Sequence, residues 1–277
     1  VAVKLLIDGF TTKTTRCPAR SFVVLAYPSA IDLSSAALRL LSRHLAVRRV
    51  QLRTRWRRLP TVHQALLALA HLRCGDTYTR LAASFGIGVA TAHRYVAEAI
   101  DVLARLAPTL QRAVSRASTK AFVILDGTLP PIDRIAADRP YYSGKHKKHG
   151  MNVQVLADPS GRLLWASPAL PGAVHDIKAA RAHGIVDALT SAGIRCRADK
   201  GYQGARGTIR VPHRGRRDTL SAGPRAVNVS HARIRAVGEQ AIATLKQWRL
   251  LRKLRCSTTR ITNVVKAVLA IHPATSA

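Results

Sequence analysis

AFVILDGTLPPIDR, residues 121–134, decides how the whole chain is read. Five apolar residues in succession, Ala121 to Leu125, have the character of a buried strand, and they end on Asp126. Carboxylates are scarce here: the 277 residues hold 14 Asp and Glu against 45 Lys and Arg. An ionised carboxylate removed from water costs kilocalories unless something positive meets it. A strand that delivers one of so few acids to its own mouth therefore points to a cation at that place.

The bulk numbers limit the partners. With 47% hydrophobic residues the composition is globular, and the length suits one large domain or two smaller ones. The formal net charge is +31 and the isoelectric point about 11.6. A charge of that size belongs beside a polyanion, so nucleic acid is the expected partner and an anionic membrane surface the rival. No apolar run approaches the roughly 20 residues that cross a bilayer. The opening VAVKLLIDGF lacks the basic-then-apolar layout of a signal peptide, so a soluble protein of the cytoplasm is expected. Cys17, Cys74, Cys196 and Cys256 lie far apart with no CxxC pair, which excludes zinc-finger spacing and argues against a disulfide scaffold. Arg outnumbers Lys 34 to 11, as in proteins of GC-rich bacteria.

Residues 1–30 show no clear period and form a poorly defined segment. Residues 31–110 read as helical. A first helix is expected from Ser34 to about Leu59, with a basic cluster of Arg48, Arg49, Arg53, Arg55, Arg57 and Arg58 suited to phosphate. Three more follow: Val62 to Leu72, Thr77 to Phe85, and one from Val89 that buries Ala92, Val96, Ala99 and Leu103. Ala82 followed by Gly86 has helix-turn-helix spacing, since a small residue lets the helices approach and Gly permits the sharp turn. In that motif the later helix enters the major groove, which makes Thr91, His93 and Arg94 candidates for base edges and Arg80 a candidate for phosphate.

Past Leu110 strands alternate with helices. MNVQVLAD and GRLLWASPAL flank the turn sequence DPSG as a hairpin. A helix from Asp176 to Thr190, the strands IRCRAD and TIRVPH, and a long helix from Ser230 to Leu254 complete the pattern. Strand, strand, strand, helix, strand, strand, helix is an α/β order: a ribonuclease-H-like mixed sheet flanked by helices, over residues 118–272, preceded by the all-α helix-turn-helix domain.

The acids sort by elimination. Asp8 and Asp32 precede the clear pattern; Asp76, Glu98 and Asp101 belong to the helical region; Asp158 sits in a turn, where Asp is expected. Asp133, Asp138, Asp187 and Asp218 have no strand end to fix them. Asp126 and Asp199 each end a strand, where ligands gather in α/β sheets. Two carboxylates brought close there need a cation, and Mg²⁺ accepts such oxygen ligands while leaving places for phosphate. Asp176 ends PGAVHD and has helix capping as its ordinary alternative. Glu239, one of two glutamates, shares a helix face with Arg235 and Lys246; an ordinary surface ion pair is the alternative there.

LDGT at Asp126, PGAVHD, ADKGYQG from Asp199 and Arg235-x3-Glu239-x6-Lys246 together resemble bacterial insertion-sequence transposases of the IS-five family, in the superfamily that includes the Harbinger-type DDE nucleases. The Tyr that usually precedes the Arg-Glu-Lys set is Ala232 here, beside His231. The resemblance implies a catalytic triad of Asp126, Asp199 and Glu239, with Asp176 as a further metal ligand or a support for one. It implies divalent metal, Mg²⁺ with Mn²⁺ as a substitute, and two-metal phosphodiester chemistry. Water would attack at the transposon end, and the freed 3′-OH would then attack target DNA. The partners implied are double-stranded terminal inverted repeats and target DNA, bound by a homo-oligomer in the bacterial cytoplasm at the nucleoid, with no membrane.

Beside such a site, YYSGKHKKHG at residues 141–150 becomes a DNA-contacting loop through Lys145, Lys147 and Lys148; Arg235 and Lys246 join them. Arg214, Arg216, Arg217 and Arg249 would extend the phosphate track. His146 and His149 lack the cysteine or acid that would complete a zinc set. Tyr141, Tyr142 and Tyr202 are the nucleophiles available to a recombinase, but that mechanism leaves the carboxylates without a purpose. Two other readings stay open: a DNA-binding protein that has lost catalysis, and a nuclease without strand transfer.

Overall fold

The computed structural model describes residue 31 and residues 33–54, 57–133, 139–216 and 218–274. The expectations for residues 1–30, Asp32, Arg55, Asp138 and Arg217 lie outside these. The chain divides into two compact units, Val1–Ala99 with Ala274–Ala277, and Ile100–Pro273.

In the first unit α1 (Ser35–Gln51) buries Ala37, Leu41 and Leu45, and α2 (Thr61–Cys74) is ended by Gly75 in the left-handed conformation. Thr77 caps α3 (Tyr78–Phe85) by accepting from the Arg80 N–H, and Gly86, with φ 61°, ends it. The turn leads into α4 (Val89–Leu106), on which Ala92, Val96, Ala99 and Leu103 are all fully buried, as their spacing predicts. The first helix is shorter than expected: it stops at Gln51 and Arg53 takes a φ of 48°. Hydrogen bonds hold the following stretch in another path. Arg49 donates to the Leu59 carbonyl at 2.7 Å, and the N–H groups of Arg58 and Leu59 donate to the Tyr95 hydroxyl at 3.0 and 3.4 Å.

The division falls within α4, whose residues from Ile100 belong to the second unit; α5 (Leu110–Ala117) follows, a helix without a counterpart in the sequence reading. Then come β1 (Val123–Thr128), the short hairpin β2 (Tyr142–Ser143) and β3 (Lys148–His149), the buried β4 (Met151–Ala157), β5 (Leu163–Ala166) and β6 (Leu170–Pro171). Asp158 makes the β4–β5 turn as expected, its Oδ1 accepting from the N–H groups of Ser160 and Arg162. The helix expected over 176–190 is two, α6 (Asp176–Ala182) and α7 (Ile185–Ser191), because Gly184 turns between them at φ 67°. β7 (Cys196–Ala198) and β8 (Ile209–Arg210) follow. α8 (Ala222–Lys246) starts eight residues before the expected Ser230 and ends eight before Leu254. Pro224 lies in its first turn, where a missing N–H costs nothing, so the Gly-Pro pair does not break it. α9 (Thr258–Ile271), unforeseen, buries Ile261, Val264, Val265 and Val268.

The sheet runs β5-β4-β1-β7-β8. β4 is antiparallel to β1 and β5, whereas β7 is parallel to β1 and to β8. This mixed sheet with flanking helices is the ribonuclease-H-like plan. α8 packs onto β1 at Gly238: a Cβ there would lie 2.6 Å from Ile124 Cγ2. Among the described residues no helix is long and apolar enough to cross a membrane.

Candidate active site

The register of two strands brings the first acids together. Leu125 of β1 stands beside Ala198 of the parallel β7, so the next residues, Asp126 and Asp199, emerge at the same end of neighbouring strands. Each carboxylate is steadied by a backbone N–H: Gly127 donates to Asp126 Oδ1 at 2.8 Å and Gly201 to Asp199 Oδ1 at 2.7 Å. Burial pushes the Asp126 carboxyl up to about 6, against the Gly127 N–H; Asp199 adds to the rise, while Lys145 and Arg235 oppose it.

Asp176 joins this pair from α6. His175 holds the cap position of that helix, and the oxygens of Asp176 are engaged elsewhere, so capping is not its role. Asn152 donates to its Oδ1 at 2.9 Å, Gln154 reaches the same atom at 3.4 Å, and Lys145 Nζ lies 2.9 Å from Oδ2. A Cβ at 127 would collide with Asp176 Oδ1, so any other residue there must push that carboxylate aside. Gln154 is fully buried and accepts from the hydroxyl of Tyr202, also fully buried. Burial, with the three carboxylates adding, pushes that phenol well above its ordinary range. Tyr202 is therefore a support of Asp176 and not an available nucleophile.

Lys145 sits at the centre. Its Nζ is 2.9 Å from Asp176 Oδ2 and 3.3 Å from Asp199 Oδ2. Burial alone would lower its pKa; the bonds and charges of Asp176 and Asp199 outweigh that and raise it. Lys147 and Lys148 are exposed on the same hairpin.

Glu239 stands apart from this group. It is exposed on α8, and its Oε1 pairs with Arg235 at 3.3 Å, the i, i+4 contact that its spacing allows. Arg235 in turn acts electrostatically on Asp126. Lys246 is exposed at the last turn of α8. Among the described residues no group of three or more His, Cys, Asp or Glu is arranged to hold a metal ion. The Lys145 ammonium already lies between two of the acids.

Residues 125–273 match the family described as DDE superfamily endonuclease, and residues 57–109 match the helix-turn-helix of DDE superfamily endonucleases. The chain belongs to the DDE superfamily of endonucleases. It is also 30% identical over 218 residues to a protein described as a candidate transposase for insertion sequence element IS112 of Streptomyces albus G, covering 77% of this chain and 80% of that one. No solved structure matches.

The endonuclease's helix-turn-helix spans α2 to α4. Thr91 is half-buried, and His93 and Arg94 are exposed at the start of α4; Arg94 donates to Thr91 Oγ1 at 3.3 Å. His93 stands edge-on to Tyr78 at 5.0 Å. Arg80 is exposed and paired with Asp76 at 3.4 Å. The basic cluster ahead of it is less available than its sequence implies. Arg49 turns inward to Gln64 at 2.8 Å, and Arg57 pairs with Glu98 at 3.2 Å. Arg214, Arg216 and Arg249 are exposed, with Arg216 3.4 Å from Asp218.

Endonucleases of this superfamily typically use divalent metals. The donor types suit such an ion, since Asp126, Asp176 and Asp199 offer only hard oxygen ligands, but with Lys145 between two of them they are not arranged around a metal position as they stand. Two of them already hold one cationic group, and the third has its pKa raised, chiefly by burial. Sequence reasoning missed Asn152, Gln154 and Lys145's inward pose. The first two had a signal, as polar residues two apart in an otherwise apolar strand share one face.

Proposed function

We propose that this endonuclease is a transposase of the IS-five, Harbinger-like lineage. It binds the terminal inverted repeats of its element and performs metal-dependent cleavage followed by strand transfer. The observation that supports this best is Lys145 held between Asp176 and Asp199, with Asp126 at the neighbouring strand end, in a chain whose net charge is +31. Asp126 and Asp199 would hold the metal, Mg²⁺ or Mn²⁺, with Asp176 as a further ligand fixed by Asn152 and Gln154. Glu239 completes the set from α8 once it leaves Arg235. When bound, the ion supplies Lewis-acid charge that polarises the phosphate and eases loss of a proton from the attacking hydroxyl.

The chain's own residues do the rest. Arg80, Thr91, His93 and Arg94 read or hold the repeat; Lys145, Lys147, Lys148, Arg235 and Lys246 neutralise phosphates near the cut. The DNA substrate places the protein in the cytoplasm at the nucleoid, and joining two ends calls for a homo-oligomer on DNA. The domain organisation follows: a helical reader over 31–110 and a nuclease over 118–272.

The test supplies linear DNA bearing the element's inverted repeats, Mg²⁺ and a target plasmid. Joined product is expected. Cutting without joining would make the protein a nuclease only, and a gel shift without cutting would make it a silent DNA binder. Glu239→Gln should abolish cutting and leave the gel shift intact; undiminished cutting would remove Glu239 from the site.

A further inference from the structure

Of the oxygens that the acid cluster leaves open, those of Asp176 and Asp199 are covered by Lys145. Asp176 Oδ1 is held by Asn152, leaving Oδ2; Asp199 Oδ1 is held by the Gly201 N–H, leaving its Oδ2. Lys145 Nζ takes both remaining atoms, at 2.9 and 3.3 Å. An ammonium has no lone pair to give a metal, and its charge repels a divalent ion at the same oxygens. The two cannot share the place.

We propose that Lys145 is an internal counter-cation, which holds the carboxylates together in the metal-free enzyme and is displaced from them when a divalent ion binds. This rests on the acid cluster being the metal centre. The path outward is short. The hairpin carrying Lys145 is anchored at its base, where Gly150 donates to the Tyr141 carbonyl at 2.9 Å and Ala173 to that of Pro140 at 3.1 Å. Its tip, Gly144 to Lys148, is exposed; nothing lies within 4 Å of the place a Cβ would take at Gly144; and half of the Lys145 side chain already faces solvent.

Displacement has a consequence for DNA. The expelled ammonium joins Lys147 and Lys148 on one loop, where three like charges favour a phosphate backbone. Metal binding thereby strengthens DNA binding, and by linkage DNA strengthens metal binding by the same factor.

Mn²⁺ titration of the full chain without DNA, followed by the electron paramagnetic resonance of the free ion, tests the displacement. Lys145→Met, which keeps the length and drops the charge, should bind Mn²⁺ about tenfold more tightly than the parent, the scale of two partly exposed ion pairs removed. Equal or weaker binding would overturn the proposal while leaving the acid cluster a metal centre. No binding by either protein would overturn the metal centre and the proposal with it. A second measurement needs no variant. Acetylation of the parent, read by mass spectrometry, should rise at Lys145 on adding Mn²⁺ and stay level at Lys147 and Lys148; an unchanged or lower rate at Lys145 would refute displacement.

Discussion

At Asp126 burial and the neighbouring Asp199 disfavour the charged form, so the folded carboxyl titrates near 6 against an ordinary 3.8. Between those values the folded state binds more protons than the unfolded one, and stability is lost as pH rises through the interval. In EDTA, Asp126→Asn should therefore be more stable than the parent at pH 8, by at most about 3 kcal/mol for two pKa units, and equal to it near pH 3. Urea denaturation at the two pH values checks this; a variant less stable at pH 8 would refute it. Tyr202→Phe leaves the buried Gln154 oxygen without its donor and should cost about 1–3 kcal/mol by the same measurement. The placing of Asp126 and Asp199 at neighbouring strand ends was legible, because a strand read from apolar runs fixes what lies at its end. Lys145 was not: a loop residue's direction depends on what faces it, and the carboxylates facing it come from residues 31 and 54 positions later in the chain.

Elements meet at glycines here. Gly238 brings α8 onto Ile124 of β1, so Gly238→Val should destabilise the fold by about 1–3 kcal/mol, and shortening Ile124 to Ala in the same chain should recover part of it. Thermal unfolding of the three variants decides the point; additive losses would mean that the contact does not matter. Gly127→Ala should instead push Asp176 aside, lowering Mn²⁺ affinity while the gel shift persists. The buried face of α4 was read closely, since Ala92, Val96, Ala99 and Leu103 repeat at helical spacing. α8 was misplaced because Gly223-Pro224 resembles a stop until its place in the first turn is known. α1 was read too long, because its end is set by Arg49 and Tyr95 and not by local periodicity.

For the whole molecule the dominant quantity is a net charge of +31. Binding to duplex DNA should weaken steeply with salt, with a log–log slope near −5 for about six phosphate contacts. Replacing Arg94 by Ala should shift affinity most for the cognate repeat, whereas replacing Lys147 should weaken all duplexes alike and reduce the slope by about 1. Filter binding across a salt series separates the two, and identical behaviour of the variants would contradict the division between reading and holding. That a helical region precedes an α/β sheet was visible in the change from helical to alternating pattern, but where the cationic surface is spent was not: Arg49 and Arg57 look like phosphate ligands until Gln64 and Glu98 are seen beside them. The proposed chemistry requires a divalent ion lying among Asp126, Asp176 and Asp199. Loading the protein with Fe²⁺ and adding ascorbate and peroxide generates hydroxyl radicals at the bound ion, which cut the nearest backbone. Fragments ending near residues 126–127, 176 and 199–201, suppressed by excess Mg²⁺, are expected; fragments elsewhere, or none, would rule out a metal at that place.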